Sequence, residues 1–211
     1  ISKARENPKR VVFADADTYK ILKAAQILKD EGIATPVLLG NKKKIAEIIE
    51  ENSLDISDIA IIDPLEEDIQ RELYGKLFFE KRKRKGVTLY DAVKLMRERN
   101  YFGCMMVETG VADAFMSGLS KNYPACIRPA LHCIGKRDGG NLVAGMHIIK
   151  TKRGPIAFAD TTVNKNPTAD DLVEITGLVA SSMRLLNLNA RVAMLSYSNF
   201  GSNIDPNTKI I

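Results

Sequence analysis

Apolar and polar positions alternate along the chain with two different periods. Short apolar runs predict buried strands at residues 10–14, 36–40 and 60–63. Between the first two runs, apolar residues recur every three or four positions, which is the spacing of one helix face. This first predicted helix carries Ile21, Ala24, Ala25 and Leu28. The alternation of strands and helices predicts an α/β protein with a largely parallel sheet.

Residues with special backbone or capping properties predict where the helices begin and end. Gly32 ends the first helix, Asn41 caps the second, and Thr88 opens a helix with a pattern resembling a capping box. Further helical spacing covers residues 66–85 and 101–110, and the second of these leads into an apolar strand that ends at Ser117-Gly118.

The second half continues this alternation after a polar, glycine-rich stretch. A helix closes at Gly135, and residues 136–140 predict a joint between subdomains. Thr168 caps a long helix, and strands are predicted at residues 142–149, 156–159 and 191–196. We therefore expect a linker over residues 1–9, a first α/β subdomain over residues 10–138 and a partial second α/β subdomain over residues 139–211.

Composition limits the class of protein. With 45% apolar and 27% charged residues, the 211-residue chain has the composition of a folded globular protein. Apolar runs fall short of the roughly 20 residues that span a bilayer, and the polar start has no signal-peptide core. Three cysteines without framework spacing fit a reducing compartment. These features predict a cytoplasmic protein without a membrane partner.

Positive charge is concentrated in two runs, although the net charge is only +5. Residues 42–44 open a helix and are typical of a solvated helix surface. Residues 81–85 are five consecutive cations that repel one another, and a phosphate-rich small ligand would explain why they stand together. A solvated helix end is the alternative. Nucleic acid is a weaker alternative because few aromatic residues accompany the run as a stacking platform.

The segment 117–128 has the features of an anion site. An apolar strand ends in Ser117-Gly118, a polar loop follows, and a helical segment carries Arg128 near its start. Backbone N–H groups at a helix N-terminus and an arginine fork both favour an anionic ligand. A structural role for Arg128, tying down the helix end, remains the alternative.

Two further loops add polar side chains after predicted strands. They contribute Thr161, Asn164, Ser196, Ser198 and Asn199. Because ligands bind at the carboxyl ends of strands in α/β sheets, the three loops predict one cleft. The standard nucleotide-binding glycine motifs are missing. Zinc is disfavoured because the adjacent residues His132 and Cys133 cannot both face one metal on a helix.

Several motifs taken in order resemble one family of transferases. Ser117-Gly118, the segments 127–131 (IRPAL) and 166–172 (NPTADDL), and the segment 192–198 (VAMLSYS) resemble phosphate acetyl/butyryltransferases. Segments such as 99–103 (RNYFG) and 120–124 (SKNYP) resemble more closely the transferase-like C-terminal region of large bacterial NADP-dependent malic enzymes.

The resemblance implies a two-domain fold related to isocitrate and isopropylmalate dehydrogenases, with an acyl-CoA site in the interdomain cleft. It implies that Arg128 holds phosphate or the acyl carbonyl and that Arg82 lies at the coenzyme A and phosphate site. It also implies that the family domain continues past Ile211. Active transferases have a histidine and small hydroxyl residues where this chain has Lys121, Asn122, Tyr123 and Pro124.

Two functions follow from the resemblance. The first is an acetyl-CoA-sensing, oligomer-forming regulatory domain of a malic enzyme that converts malate to pyruvate and carbon dioxide. NADP and a divalent metal would then bind in malic-enzyme domains outside this sequence, and this region would be non-catalytic. The alternative is an active acyltransferase between coenzyme A and phosphate, which the retained Ser117, Gly118 and Arg128 favour. Either way, the expected partners are an acyl-CoA or phosphate-containing small molecule and further copies of the chain.

Overall fold

The computed structural model describes residues 1–136, 140–196, 198, 202 and 203. The chain divides into two compact units, Ile1–Gly135 and Lys136–Ile211. Within the joint predicted at residues 136–140, Arg137, Asp138 and Gly139 lie outside the described residues.

The first unit is built on a four-stranded parallel sheet in the order β3-β2-β1-β4. Its strands are β1 (Lys9–Phe13), β2 (Ala34–Leu39), β3 (Ala60–Ile62) and β4 (Ala114–Met116). Phe13 at the end of β1 pairs with Met116 at the end of β4. The residues that follow these two strands are therefore neighbours at one edge of the sheet. This unit confirms the predicted α/β class with a parallel sheet.

Seven helices flank the strands of the first unit. They are α1 (Ser2–Glu6), α2 (Tyr19–Asp30), α3 (Lys42–Asn52), α4 (Asp68–Arg82), α5 (Leu89–Leu95), α6 (Arg99–Glu108) and α7 (Tyr123–Cys133). Asn41 and Thr88 accept hydrogen bonds from the backbone at the starts of α3 and α5, which confirms both predicted caps. The α-helix predicted over residues 66–85 is shorter, because the chain tightens into a 3₁₀ turn at Lys83–Lys85.

Side chains alternate across the sheet and form a core on each face. Val12 of β1 and Leu39 of β2 pack with Tyr74, Phe78 and other residues of α4 and α6. Their neighbours Phe13 and Leu38 pack on the other face, against residues of α2 and α3 that include Leu22 and Ile45. Both faces are covered, which explains why the strands are continuous apolar runs in the sequence.

The second unit differs from the predicted parallel arrangement. Strands β5 (Met146–Thr151) and β6 (Gly154–Ala159) form an antiparallel hairpin, followed by α8 (Ala169–Leu185). Only Lys152 and Arg153 connect the strands, and so short a connection cannot produce a parallel pair. The strand predicted at residues 191–196 is wrong: these residues are exposed and adopt no strand in the part of the chain that the structure describes.

Candidate functional site

The loop after β4 is held by the carboxylate of Asp15, two residues after β1. The Asp15 Oδ2 atom accepts hydrogen bonds from the backbone N–H groups of Gly118 and Leu119, each at 3.2 Å, and Oδ1 accepts one from the Ser120 hydroxyl. Asp15 is only 6% exposed. Gly118 has a φ of +128°, a conformation that glycine adopts without strain. Two backbone amides of the predicted anion-binding segment 117–128 thus bind the protein's own carboxylate.

Asp17, two residues further on, holds the neighbouring strand-end loop in the same way. Its Oδ1 atom accepts from the Asn41 backbone N–H at 2.8 Å, and Oδ2 forms an ion pair with Arg99 of α6 at 2.6 Å. Sequence reasoning did not single out Asp15 or Asp17. The available signal was their position directly after the first predicted strand, where parallel sheets place binding loops.

A buried asparagine fixes Ser117 and the start of α7. The Ser117 hydroxyl donates to Asn100 Oδ1 at 3.0 Å, and Asn100 Nδ2 donates to the Ala125 carbonyl at 3.0 Å. The Cys126 sulfur lies 3.6 Å from the Ser117 oxygen. Asn100 therefore joins β4, α6 and α7 through side-chain hydrogen bonds, a role that only the tertiary structure reveals.

Four of the predicted residues meet at an open pocket beside this loop. The pocket has a volume of about 340 Å³ and is lined by Phe115, Ser117, Gly118, Lys121, Tyr123, Cys126 and Ile127. Asn122 has a different position, because its side chain caps α7 by accepting from the Ala125 N–H at 3.0 Å. A smaller pocket of about 180 Å³ is lined by residues that include Asp15, Arg99, Ser120 and Lys121.

Arg82 and Arg128 line neither of these pockets but act on a common pair of side chains. The Tyr101 hydroxyl lies 3.0 Å from His132 Nδ1. Burial and the charges of Arg82, Arg128 and Lys85 lower the pKa of His132. Burial raises the pKa of Tyr101, while the two arginines oppose that rise. The charges of the two predicted arginines, Arg82 at the end of α4 and Arg128 within α7, therefore act on the same tyrosine–histidine pair.

Not all cations of the run act on this pair. Lys81 forms an ion pair with Glu108 and donates to the Cys133 carbonyl at 2.6 Å, and Lys83 pairs with Glu80 at 2.5 Å. These two cations have internal partners and serve the structure of the helix end. Arg82 differs, because within the described residues its buried Nε atom has no hydrogen-bond acceptor.

In the second unit, Asp160 organises the turn that carries Thr161 and Asn164. Its carboxylate accepts from the backbone N–H groups of Gly145 at 3.0 Å, Val163 at 3.1 Å and Asn164 at 2.8 Å. Burial opposes ionisation, but these hydrogen bonds outweigh it and lower the pKa of Asp160. Thr161 is exposed, and its hydroxyl lies 2.8 Å from His147 Nδ1.

The last predicted loop is partly described. The Ser196 hydroxyl oxygen accepts from the Ser198 backbone N–H at 3.2 Å, and the Ser198 oxygen accepts from that of Asn203 at 3.1 Å. Asn199 lies outside the described residues. This loop follows no strand in the described part of the chain, and β6, which precedes the Asp160 turn, belongs to an antiparallel hairpin. The expected equivalence of the three loops as ends of parallel strands is therefore wrong.

The described residues contain neither a candidate metal-binding group nor a helix that could cross a membrane. Within them, no group of three or more histidine, cysteine or acidic side chains could hold a metal ion. The helices described there are too short or too polar to cross a membrane. Burial raises the pKa of the Cys104 thiol to about 12 and also raises that of Cys133, as for inert buried cysteines.

Comparisons with known proteins identify the family. The family model for phosphate acetyl/butaryl transferase matches residues 1–211. The phosphate acetyltransferase of Thermoanaerobacterium thermosaccharolyticum is 39% identical over 209 residues, covering 96% of this chain and 63% of that protein. The NADP-dependent malic enzyme of Escherichia coli is 35% identical over 211 residues, covering 98% of this chain and 28% of that protein.

The fold comparison gives the same result. A phosphotransacetylase crystal structure from Streptococcus pyogenes superimposes with a TM-score of 0.87 at 30% identity, covering all of this chain and 65% of that one. The chain therefore spans somewhat under two thirds of the length of these transferase relatives. Sequence motifs, family model and fold agree, and the chain belongs to the phosphate acetyl/butaryl transferase family.

Proposed function

We propose that this chain is the substrate-binding part of a phosphate acyltransferase, which moves an acetyl group between coenzyme A and phosphate. The observation that carries the proposal is the position of Arg82 at the end of α4 and of Arg128 within α7, from which both charges lower the pKa of the same His132. Guanidinium groups bind phosphate oxygens through paired, charge-assisted hydrogen bonds. The relatives named phosphate acetyltransferase, at up to 39% identity, support the same reaction.

In this reaction the two arginines would bind the phosphate and stabilise negative charge. A phosphate oxygen attacks the carbonyl carbon of the acetyl thioester, the new C–O bond forms, and the C–S bond breaks. The sulfur leaves as a thiolate and takes a proton from solvent. Arg82 and Arg128 would orient the phosphate and offset the negative charge that accumulates during attack. Within the described residues, the buried Arg82 Nε has no hydrogen-bond acceptor.

A second function is favoured by the loop after β4. Its backbone amides bind Asp15, and its tip carries Lys121 and Tyr123 rather than small hydroxyl residues. A loop closed by its own carboxylate suits binding without catalysis. The chain would then be an acetyl-CoA-binding regulatory domain of an NADP-dependent malic enzyme, consistent with the 35% identical relative of that name. NADP and a divalent metal would bind to malic-enzyme domains outside this sequence.

Phosphate-dependent thiol release from acetyl-CoA distinguishes the two functions. We expect the full-length protein to release free coenzyme A only when phosphate is present. Arg128→Ala should lower that rate by about 100-fold, because one charged contact in a transition state contributes on this order. Arg153→Ala, at the exposed turn of the β5–β6 hairpin, is the matched control and should leave the rate unchanged.

Binding measured by calorimetry completes the test. Acetyl-CoA binding without any phosphate-dependent release would overturn the transferase proposal and support the regulatory domain. Loss of that binding in Arg128→Ala would place the effector at Arg128. Neither binding nor release in the full-length protein would overturn both functions.

A further inference from the structure

A polar pocket lies between α4 and α5. Its volume is about 290 Å³, close to the lower end of the range for sites that bind small molecules. Of the two pockets described above, the smaller one shares one lining residue with it, Arg97, and the larger one shares none. Its polar lining consists of three cationic side chains, two acidic side chains and a tyrosine: Arg71, Lys94, Arg97, Asp68, Glu72 and Tyr90.

The close contact of α4 with α5 fixes the walls of this pocket. A Cβ atom on Gly75 would lie 2.8 Å from the Val93 Cα atom, so the two helices touch along their backbones at this point. Arg71 lies one turn before Gly75 on α4, and Lys94 directly follows Val93 on α5. The helix packing itself therefore brings these two cations to one pocket.

Arg71 contributes a largely buried cation with unused donors. The residue is only 6% exposed, yet it lines the pocket. Its Nη1 atom donates to the Pro64 carbonyl at 2.5 Å, and Nη2 forms an ion pair with Asp68. A guanidinium group has five N–H donors, so these two contacts leave three without an acceptor among the described residues. The Asp68 side chain is 84% exposed, so water screens this counter-charge, and a further anion would stabilise the buried guanidinium.

Lys94 and Arg97 add two further cations to the same pocket. They lie three positions apart, at the end of α5 and just after it. In the part of the chain that the structure describes, neither charged group has an ion-pair or hydrogen-bond partner. The second acidic lining residue, Glu72, lies 3.6 Å from Lys76, which is outside the lining. The pocket therefore has a surplus of positive charge.

We propose that this pocket is a second ligand site, which binds a small organic phosphate monoester. Such an ester carries nearly two negative charges on one group above neutral pH, which suits three cations around one pocket. The Arg71 guanidinium binds phosphate oxygens as a fork, and Lys94 and Arg97 neutralise the dianion. The organic part of the ester lies against the Tyr90 ring, because that side chain is exposed beside the cations.

This site is separate from the proposed acyl-transfer site. Arg71 precedes Arg82 by eleven positions on α4, which is about 16 Å along a helix. Arg128 on α7 does not line the pocket between α4 and α5. The inference therefore goes beyond the proposed function and does not depend on it.

Calorimetry of the full-length protein with glycerol 3-phosphate at pH 8 tests the proposal. We expect saturable binding that Lys94→Ala weakens by about tenfold, the loss typical of one charge-assisted hydrogen bond. Arg97→Ala should weaken it to a similar extent. Lys43→Ala removes the same charge from an exposed position on α3 and should leave the affinity unchanged. These exposed side chains can be truncated without opening the core, so the variants should fold.

Two other anions test the class of ligand. Inorganic phosphate should bind at least tenfold more weakly than glycerol 3-phosphate, because it makes no contact with the Tyr90 ring. Succinate carries two charges without a phosphate group and should also bind more weakly. Equal affinity for inorganic phosphate or for succinate would overturn the assignment to a phosphate monoester.

Arg128→Ala separates the two sites. Binding of glycerol 3-phosphate should persist in this variant. Binding that is lost in Arg128→Ala but unchanged in Lys94→Ala would assign the ester to the acyl-transfer site and overturn the inference, as would the absence of binding in the parent protein. Phosphate-dependent thiol release without ester binding would leave the acyltransferase proposal standing. Ester binding that depends on Lys94, without thiol release, would keep the second site and overturn the acyltransferase proposal.

Discussion

Asp15, two residues after β1, accepts a hydrogen bond at 3.2 Å from the backbone N–H of Gly118, two residues after β4. Together with the bonds from Leu119 and Ser120, this contact closes the loop after β4 over a nearly buried carboxylate. The strand-end loop of this unit is therefore shaped from within the protein, before any ligand binds.

Removing that carboxylate should destabilise the first unit. Asp15→Ala leaves three donors without an acceptor, and we expect a loss of about 2 kcal/mol in the free energy of unfolding. Asp15→Asn keeps one carbonyl oxygen and should cost less. Urea denaturation measures both, with the exposed Asp30→Ala as the control, expected within about 0.5 kcal/mol of the parent. Equal stability of Asp15→Ala and the parent would contradict the role of Asp15.

Asn100 and Ser117 should be energetically coupled. Ser117→Ala removes one hydrogen bond, whereas Asn100→Ala also strips the contact with the Ala125 carbonyl. A double-mutant cycle on unfolding free energies should give a coupling of about 1 kcal/mol, the range for residues in direct contact. Additive effects would mean that Asn100 does not hold β4 to α7 through Ser117.

Two helical glycines should respond to alanine in opposite directions. A Cβ at Gly75 in α4 would lie 2.8 Å from the Val93 Cα atom, so Gly75→Ala should cost about 2 kcal/mol through overpacking. At Gly177 in α8 no atom lies within 4 Å of the added Cβ, and alanine should stabilise that helix by about 0.5 kcal/mol. Hydrogen exchange of the two helices separates the effects. The same sign at both sites would refute the packing argument.

The Asp160 turn should open in acid. Although burial opposes ionisation, hydrogen bonds lower the pKa of Asp160 in the folded protein. The carboxylate therefore stabilises the turn at pH values above the pKa of the unfolded chain, and this stabilisation is lost as the pH falls through the lower pKa of the folded protein. The amide signals of Gly145, Val163 and Asn164 should move together in that acidic window. Asp160→Asn should abolish the shared transition, and independent titration of the three amides would refute it.

Thiol labelling should be selective for one of the three cysteines. Cys104 and Cys133 are buried, and burial raises the pKa of both thiols, whereas Cys126 is half-buried and lines the open pocket beside Ser117. A maleimide reagent should modify the native protein first at Cys126. Cys126→Ser should remove the fast phase, as peptide mass spectrometry would show. Fast modification of Cys104 would contradict the burial of that side chain.

Local sequence patterns predicted most of the first unit. The strands around Val12 and Leu38 are continuous apolar runs because they are covered on both faces, and that pattern needs no knowledge of their partners. The caps Asn41, Thr88 and Thr168 depend only on hydrogen bonds to backbone groups three residues away, and all three are confirmed. Arg82 and Arg128 were also candidate residues before their shared neighbours were known.

The sequence was less informative wherever direction or partnership depends on distant residues. The strands predicted at residues 142–149 and 156–159 were given no pairing by the sequence, and the two-residue connection Lys152–Arg153 joins β5 and β6 as an antiparallel hairpin. Residues 191–196 are apolar enough for a strand but have no strand partner in the described residues. A strand is stabilised by backbone hydrogen bonds to a neighbouring strand, and no single segment encodes that neighbour.

By itself, the sequence determined the alternation of buried strands and amphipathic helices, the family and the arginines available for an anion. Only the tertiary structure decided that the Asp15 carboxylate would accept hydrogen bonds from the amides of a loop more than 100 residues away, and that the charge of Arg82 on α4 would lower the pKa of His132 on α7. The apolar patterns that predict helices and strands depend on residues a few positions apart. Contacts between distant segments form only when the folded sheet places those segments next to each other.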